Sequence, residues 1–132
     1  MQGFEFCCPT KIVCGAHALD KLPDEVADRG MKHPLVMTDA GLVKLGVAAK
    51  LTGVLDAADV PYEVFDQVPP DSSMDVVNEV ARLYADRGCD GFVAIGGGSV
   101  IDTTKGAAAS LACEGVDFAT LQGSEILKAD LP

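Results

Sequence analysis

Tryptophan, histidine and positive charge are scarce in this sequence. It contains no tryptophan and two histidines, and its 10 lysine and arginine residues stand against 20 aspartate and glutamate residues, which gives a formal net charge of −10 at pH 7. An acidic chain without a basic cluster repels a phosphate backbone, and this argues against nucleic acid as a partner. A small anion is still admissible, because backbone N–H groups alone can hold it.

Long apolar runs are also missing. No stretch reaches the ~18 consecutive apolar residues typical of a membrane-spanning helix, and the N-terminus has neither the basic region nor the apolar core of a signal peptide. The chain has 132 residues, 48% of them hydrophobic, which suits one globular domain. We therefore expect a cytoplasmic protein without membrane contact.

The cysteines lack the spacing of a metal site. They are odd in number and scattered, and no Cys-x-x-Cys pair occurs among Cys7, Cys8, Cys14, Cys89 and Cys113. This pattern argues against a disulfide framework and a zinc knuckle, and it indicates reduced thiols that act mostly as small apolar side chains. The alternative is a metal or redox site in which a hairpin brings Cys7, Cys8 and Cys14 together.

The rest of the chain is organised around residues 90–105. Residues 92–95 form an unbroken apolar run, as in a central parallel strand covered on both faces. The three glycines at 96–98 allow positive φ and close approach of a ligand to bare backbone, and Ser99 can cap the following helix. A helix N-terminus presents free N–H groups, so the sequence predicts a phosphate site here. The alternative is a tight turn without a ligand.

Strand and helix patterns alternate along the chain. The predicted strands lie at residues 4–7, 11–14, 34–38, 62–65 and 92–95. The predicted helices lie at residues 18–29, 47–58, 74–87 and 106–112. This alternation predicts an open, mostly parallel, three-layer α/β sheet of the Rossmann-like kind, with a short N-terminal β-hairpin. Right-handed crossovers would then gather the carboxyl ends of the strands along one edge.

Two acidic residues are expected at that edge. Asp39 follows the strand at residues 34–38, where its carboxylate can accept hydrogen bonds from a ribose diol or can form an Asx turn or helix N-cap. Asp71 lies in the loop at residues 68–73, whose polar end can cap the next helix. Together with the glycine turn, these residues form one candidate site.

Four segments together resemble the iron-containing alcohol dehydrogenase family, also called group III. They are residues 6–15, the turn at 38–41, the loop at 69–73, and the Gly-Gly-Gly-Ser-x-x-Asp-x-x-Lys run at 96–105. The last is the most specific, and the resemblance covers nearly the whole chain. It implies that residues 1–132 are an N-terminal dinucleotide-binding domain.

The resemblance also implies roles for particular residues. Gly97, Gly98 and Ser99 would hold the pyrophosphate of NAD, and Asp39 would contact the adenosine ribose. The loop around Pro70 and Asp71 would lie beside the adenosine half of the cofactor. An acid at position 39 favours NAD over NADP, because the extra phosphate would meet a like charge.

Two further positions have less definite roles. Asp102 matches the family motif, either as a cofactor contact or as a carboxylate stabilised by the helix dipole. Ser72 departs from the family loop, which commonly carries a proline there.

Family members continue into a helical domain, where one aspartate and three histidines hold a divalent metal. The resemblance therefore implies a truncated enzyme that binds NAD here and Fe²⁺ outside this chain, and that interconverts small alcohols and aldehydes. The chain alone is expected to be inactive, and a cut domain edge would expose an apolar patch through which a homodimer could form. The alternatives are a glycerol dehydrogenase or dehydroquinate synthase-like relative, and a non-catalytic stand-alone nucleotide-binding module.

Overall fold

A three-stranded parallel sheet forms the middle layer of the structure, a computed structural model that describes residues 10–113 and residue 119. The strands are β1 (Pro34–Met37), β2 (Glu63–Phe65) and β3 (Gly91–Ala94), in the order β2-β1-β3. The helices are α1 (Leu22–Asp28), α2 (Ala40–Lys44), α3 (Val47–Ala57), α4 (Met74–Arg87) and α5 (Gly98–Ala112). The parallel α/β architecture is confirmed.

β1 is the central strand, and all four of its residues are buried. Successive side chains of a strand point to opposite faces of the sheet. Leu35 and Met37 accordingly pack into a cluster with residues of α4 and α5, while Val36 packs with Leu51 and Leu55 of α3. Helices thus cover both faces of the sheet, which gives the expected three layers.

The expectation that residues 92–95 form a central strand is wrong for the described part of the chain. There β3 pairs with β1 alone, Phe92 is half-buried and Ala94 is exposed. The ring of Phe92 instead stacks on Tyr84 of α4, with 4.7 Å between the ring centroids. An apolar run is expected wherever helices cover a strand, whether the strand has one neighbouring strand or two. The run therefore cannot by itself distinguish an edge strand from a central one.

Residues near the helix starts explain where α1 and α4 begin. Pro23 lies in the first turn of α1, after a 3₁₀ turn at Ala18–Lys21, because its fixed φ suits that turn and its missing N–H costs nothing there. Ser73 caps α4, its hydroxyl accepting from the N–H of Val76. In α5, residues 106–110 are buried, as expected for a small-residue helix that packs closely against its neighbours.

The structure tests only the second strand of the predicted N-terminal hairpin, and the prediction of a strand at residues 11–14 is wrong. Residues 4–7, Cys7 and Cys8 lie outside the described residues, and residues 11–14 belong to none of the three described strands. Among the described cysteines, Cys89 is buried as expected, and burial raises the pKa of its thiol. Cys14 is exposed, which departs from the expectation of an apolar packing role. No described helix is both long enough and apolar enough to span a bilayer.

Candidate functional site

A cavity of about 440 Å³ lies at the point in the sheet where successive strands switch from one side of β1 to the other. From β1 the chain passes to β2 on one side and then crosses to β3 on the other side. Such a switch point leaves a crevice at the carboxyl ends of the strands, where α/β folds bind ligands. The volume lies in the range of ordinary small-molecule sites. The lining residues are Asp39, Ala40, Gly41, Val68, Pro69, Pro70, Gly97, Gly98, Ser99 and Val100.

The glycine turn leaves part of this cavity without side chains. A Cβ on Gly96 would lie 2.4 Å from Cγ2 of Val100, so packing alone excludes a side chain there. A Cβ on Gly97 or Gly98 would have no atom of the described structure within 4 Å, and both residues line the cavity. The bare backbone at these two positions therefore borders space that a ligand can fill.

The glycines of this turn do not use the positive φ that their residue type allows. Gly97 has a φ of −84° and extended backbone, and none of the three glycines is in the left-handed region. The described positive-φ glycines are elsewhere, at Gly15, Gly30, Gly46 and Gly88. In the turn at 96–98, packing within the described structure requires glycine at Gly96, and none of the three positions requires it for a left-handed backbone.

Helix α5 begins earlier than the sequence suggests. Its N-cap is Gly97, so Ser99 lies within the first turn, and the expectation that Ser99 caps the helix is wrong. The first intrahelical bond runs from the N–H of Ile101 to the carbonyl of Gly97, at 3.1 Å. The preceding N–H groups, those of Gly98, Ser99 and Val100, have no acceptor within the helix. They border the cavity at the positive end of the helix dipole, which suits an anion.

Asp39 has the capping role that the sequence left as one alternative. Its Oδ1 accepts a hydrogen bond from the N–H of Leu42 at 3.0 Å and so caps α2. A Cβ on Gly41 would lie 2.9 Å from that oxygen, so glycine keeps room for the cap. Within the described residues, no hydrogen bond engages Oδ2 of Asp39. The cap thus holds a half-buried carboxylate at the cavity with one oxygen available to a ligand.

The remaining predicted site residues divide into two groups. Pro70 lines the cavity together with the residues already described, whereas Asp71 and Asp102 are exposed and do not line it. Sequence reasoning did not single out the apolar walls made by Val68 and Val100. Their apolar character is indistinguishable from that of core residues, so only proximity to the loop and the glycine turn could have indicated them.

Among the described lining residues there is no lysine or arginine, and Asp39 is the one ionisable side chain. An anion bound here would therefore rely on backbone N–H groups. Within residues 10–113 and 119, no group of three or more histidine, cysteine, aspartate or glutamate side chains is placed to hold a metal ion. The two histidines are apart: His17 pairs with Asp20 at 3.1 Å, and His33 lies 4.0 Å from Glu63. These residues do not fit a divalent metal site.

A parallel sheet with a switch-point cavity and a glycine turn at a helix N-terminus defines the class of nucleotide-binding α/β folds. Residues 9–132 match the sequence profile of the iron-containing alcohol dehydrogenases. The chain belongs to this family, as the sequence resemblance indicated.

Individual relatives agree with this assignment. The chain is 36% identical over 135 residues to a choline dehydrogenase of Bacillus subtilis, with 100% of this chain and 34% of that protein covered. It is 42% identical over 91 residues to a lactaldehyde reductase of Escherichia coli, with 69% and 24% covered. The solved NADH-dependent butanol dehydrogenase A of Thermotoga maritima superposes with a TM-score of 0.87 at 27% identity, covering 100% of this chain and 33% of that one. The chain thus spans about a third or less of these proteins.

Proposed function

We propose that this chain is the cofactor-binding portion of an NAD-dependent, iron-containing alcohol dehydrogenase that interconverts small alcohols and aldehydes. Family membership supports the reaction class, and the names of relatives that act on lactaldehyde and butanol support small substrates. The observation that carries the cofactor assignment is the side-chain-free backbone of Gly97 and Gly98, placed at a helix N-terminus in the same cavity as Asp39.

The pyrophosphate of NAD is assigned to the N-terminus of α5. The N–H groups of Gly98, Ser99 and Val100 are the donors for its oxygens, and the helix dipole adds about 0.3–1 kcal/mol for an anion at such a position. Charge-assisted hydrogen bonds of this kind are stronger than neutral ones. A cavity whose described lining carries no basic side chain can therefore still hold a dianionic linker.

The adenosine half of the cofactor is assigned to the wall formed by Val68, Pro69 and Pro70. Their apolar surfaces suit the flat adenine ring, and Oδ2 of Asp39 is available to the ribose hydroxyls. The negative charge of Asp39 would oppose a 2′-phosphate, and this supports NAD over NADP. Asp71 and Asp102 stay proposed cofactor contacts, because only a bound cofactor would test them.

The role of this chain in the reaction is to bind and orient the cofactor. When bound, the metal and the nicotinamide supply Lewis-acid polarisation of the alcohol oxygen and acceptance of the hydride. The described residues include no group of three or more histidine, cysteine, aspartate or glutamate side chains placed to hold the metal. We place the Fe²⁺ site outside this chain and expect the chain alone to be catalytically silent.

Two assignments about the surroundings complete the proposal. The free thiols at Cys14, Cys89 and Cys113 support a cytoplasmic location, and the net charge of −10 argues against nucleic acid as a partner. The exposed apolar side chains of Ile12, 84% exposed, and Leu45, 74% exposed, support pairing as a homodimer.

A titration with a matched pair of variants tests the cofactor assignment. We expect the purified protein to bind NAD⁺ in a calorimeter, and Gly98→Ala to weaken binding at least about tenfold, because the added methyl group enters the space of the pyrophosphate. Gly53→Ala is the control, since a Cβ at Gly53 in α3 also meets no atom of the described structure within 4 Å. Equal affinities for the two variants, or no binding by the unmodified protein, would contradict the assignment.

A further inference from the structure

Three hydroxyl groups tie the loop at residues 68–73, here called the proline loop, to the first turns of α5. The hydroxyl of Ser99 donates to the carbonyl of Pro70, 29 residues away in sequence. The hydroxyl of Ser72 lies 2.6 Å from Oγ1 of Thr103. Thr103 in turn donates to the carbonyl of Ser99 at 2.8 Å. The same stretch of α5 therefore holds the loop at two points.

Counting protons gives each of these bonds a direction. A hydroxyl group carries one proton, and a carbonyl oxygen only accepts. The proton of Thr103 goes to the Ser99 carbonyl, so Ser72 must be the donor in its bond to Thr103. The proton of Ser99 goes to the Pro70 carbonyl. All three hydroxyl protons are thus committed within the clasp, the name used below for these three bonds.

Because the Ser99 hydroxyl donates its proton to Pro70, it cannot also donate a hydrogen bond to a ligand in the cavity. Phosphate oxygens accept hydrogen bonds, so a hydroxyl that binds phosphate must donate to it. While Ser99 donates to Pro70, its Oγ offers the cavity only lone pairs. The backbone N–H of Ser99 is unaffected, because it belongs to the free first turn of the helix.

Within the part of the chain that the structure describes, the proline loop has few other hydrogen bonds to the rest of the protein. At one end, the N–H of Val68 donates to the carbonyl of Thr38 at 3.4 Å; at the other, Ser73 caps α4. Pro69 and Pro70 have no backbone N–H to donate. The middle of the loop therefore depends on hydrogen bonds from side chains, and the clasp supplies them.

We propose that Ser99 acts on the cofactor as a positioning residue: together with Ser72 and Thr103 it holds the proline loop, and hence the wall for the adenosine half, in place. The pyrophosphate is then bound by backbone N–H groups without the Ser99 hydroxyl. This inference rests on the proposed function, because it assigns the means by which the NAD site keeps its shape.

Thr103 provides the decisive variant, because it belongs to the clasp but not to the cavity. Its side chain is fully buried and does not line the cavity, so its hydroxyl cannot contact the cofactor. Thr104, the next residue, is a matched control. Its buried hydroxyl also donates to the carbonyl four residues earlier, that of Val100, at 2.7 Å, but it makes no hydrogen bond to the proline loop. Thr103→Val and Thr104→Val each remove one such bond at similar volume.

The experiment combines amide hydrogen exchange in the protein without cofactor with NAD⁺ titration. We expect Ser99→Ala and Thr103→Val each to speed exchange at Asp71 and Ser72 and to weaken NAD⁺ binding about five- to tenfold. The double variant should lose less than the product of the two effects, since both break one clasp. Ser99→Thr keeps the hydroxyl donor and should bind NAD⁺ about as tightly as the unmodified protein. Thr104→Val should match the unmodified protein in both measurements.

Three results would overturn the inference in whole or in part. If Ser99→Ala weakens binding while Thr103→Val does not, the Ser99 hydroxyl contacts the cofactor directly. If neither variant changes loop exchange, the clasp does not hold the loop. If the unmodified protein binds no NAD⁺, the proposed function fails, and so does the assignment of the clasp to the cofactor, whereas altered exchange would still show that the clasp holds the loop.

Discussion

Oδ1 of Asp39 accepts a hydrogen bond from the N–H of Leu42 at 3.0 Å, while the same side chain lines the cavity. The two roles proposed from the sequence for this residue are therefore compatible: capping uses one oxygen, and the proposed ribose contact would use the other. Helix α2 holds the carboxylate where the cofactor is expected.

Substitutions of Asp39 can distinguish the effect of its negative charge from the effect of its hydrogen bond to the start of α2. Asparagine caps helices about as well as aspartate, so Asp39→Asn should lower the free energy of unfolding by less than about 1 kcal/mol. Without the charge, the preference for NAD⁺ over NADP⁺ should fall roughly five- to tenfold, as judged by calorimetric titration with both cofactors. Asp39→Ala is the companion variant, since it should lose about 1 kcal/mol by losing the cap as well. An unchanged cofactor preference in Asp39→Asn would count against the ribose contact.

The three glycines of the turn should respond differently to a methyl group. At Gly96 the new Cβ would lie 2.4 Å from Val100, so Gly96→Ala should lower the free energy of unfolding by about 1–3 kcal/mol. At Gly97 the Cβ meets open space, and the remaining cost is that of alanine at the N-cap of α5, so Gly97→Ala should lower the free energy of unfolding by less than about 1 kcal/mol and should weaken NAD⁺ binding. Urea denaturation and calorimetry measure the two effects. Equal destabilisation by both variants would contradict the geometry.

Gly88 and Gly53 test backbone conformation away from the cavity. Gly88 ends α4 with a φ of +65°, so Gly88→Ala should destabilise the protein by about 1 kcal/mol. Gly53 lies within α3 and has no positive φ, so Gly53→Ala should stabilise it by about 0.5–1 kcal/mol. Opposite shifts in the urea midpoint, with NAD⁺ affinity unchanged, are the expected result.

Glu25 should contribute to the pH dependence of stability. Hydrogen bonds from Lys11 and then Arg29 hold the pKa of its carboxyl below the ordinary value of 4.5, against a smaller opposing effect of burial. Because the folded state binds this proton less readily than the unfolded state, the contribution is present above pH 4.5 and is lost as the pH falls through the lowered pKa.

The variant Glu25→Gln should therefore be less stable than the unmodified protein at neutral pH and should approach it in acid. Urea denaturation across that pH range measures the difference. Glu79→Gln is the control, because Glu79 is an exposed carboxylate on α4. A stability difference that stays constant as the pH falls would show that Glu25 acts through packing and not through its charge.

The parallel α/β fold could be predicted because its signals are local. The apolar run that became β1 and the cap at Ser73 are both visible in a few neighbouring residues. The cavity edge followed from the general rule that parallel strands end together. Membership of the family followed from the glycine run and the segments that accompany it.

The errors concern contacts between distant parts of the chain. Ser99 has the residue type of a helix cap, yet its hydroxyl donates to Pro70, and α5 begins at Gly98. The central position of β1 depends on the order in which strands pair, which no single strand encodes. Tertiary contacts override local preference at such positions.

The central claim is that the backbone at the start of α5 receives the pyrophosphate of NAD. Titration of ¹⁵N-labelled protein with NAD⁺, followed by amide chemical shifts, tests it most directly. The account predicts the largest shifts at Gly98, Ser99 and Val100, with none at Gly53. Binding that leaves those three amides unchanged, or no binding at all, would contradict it.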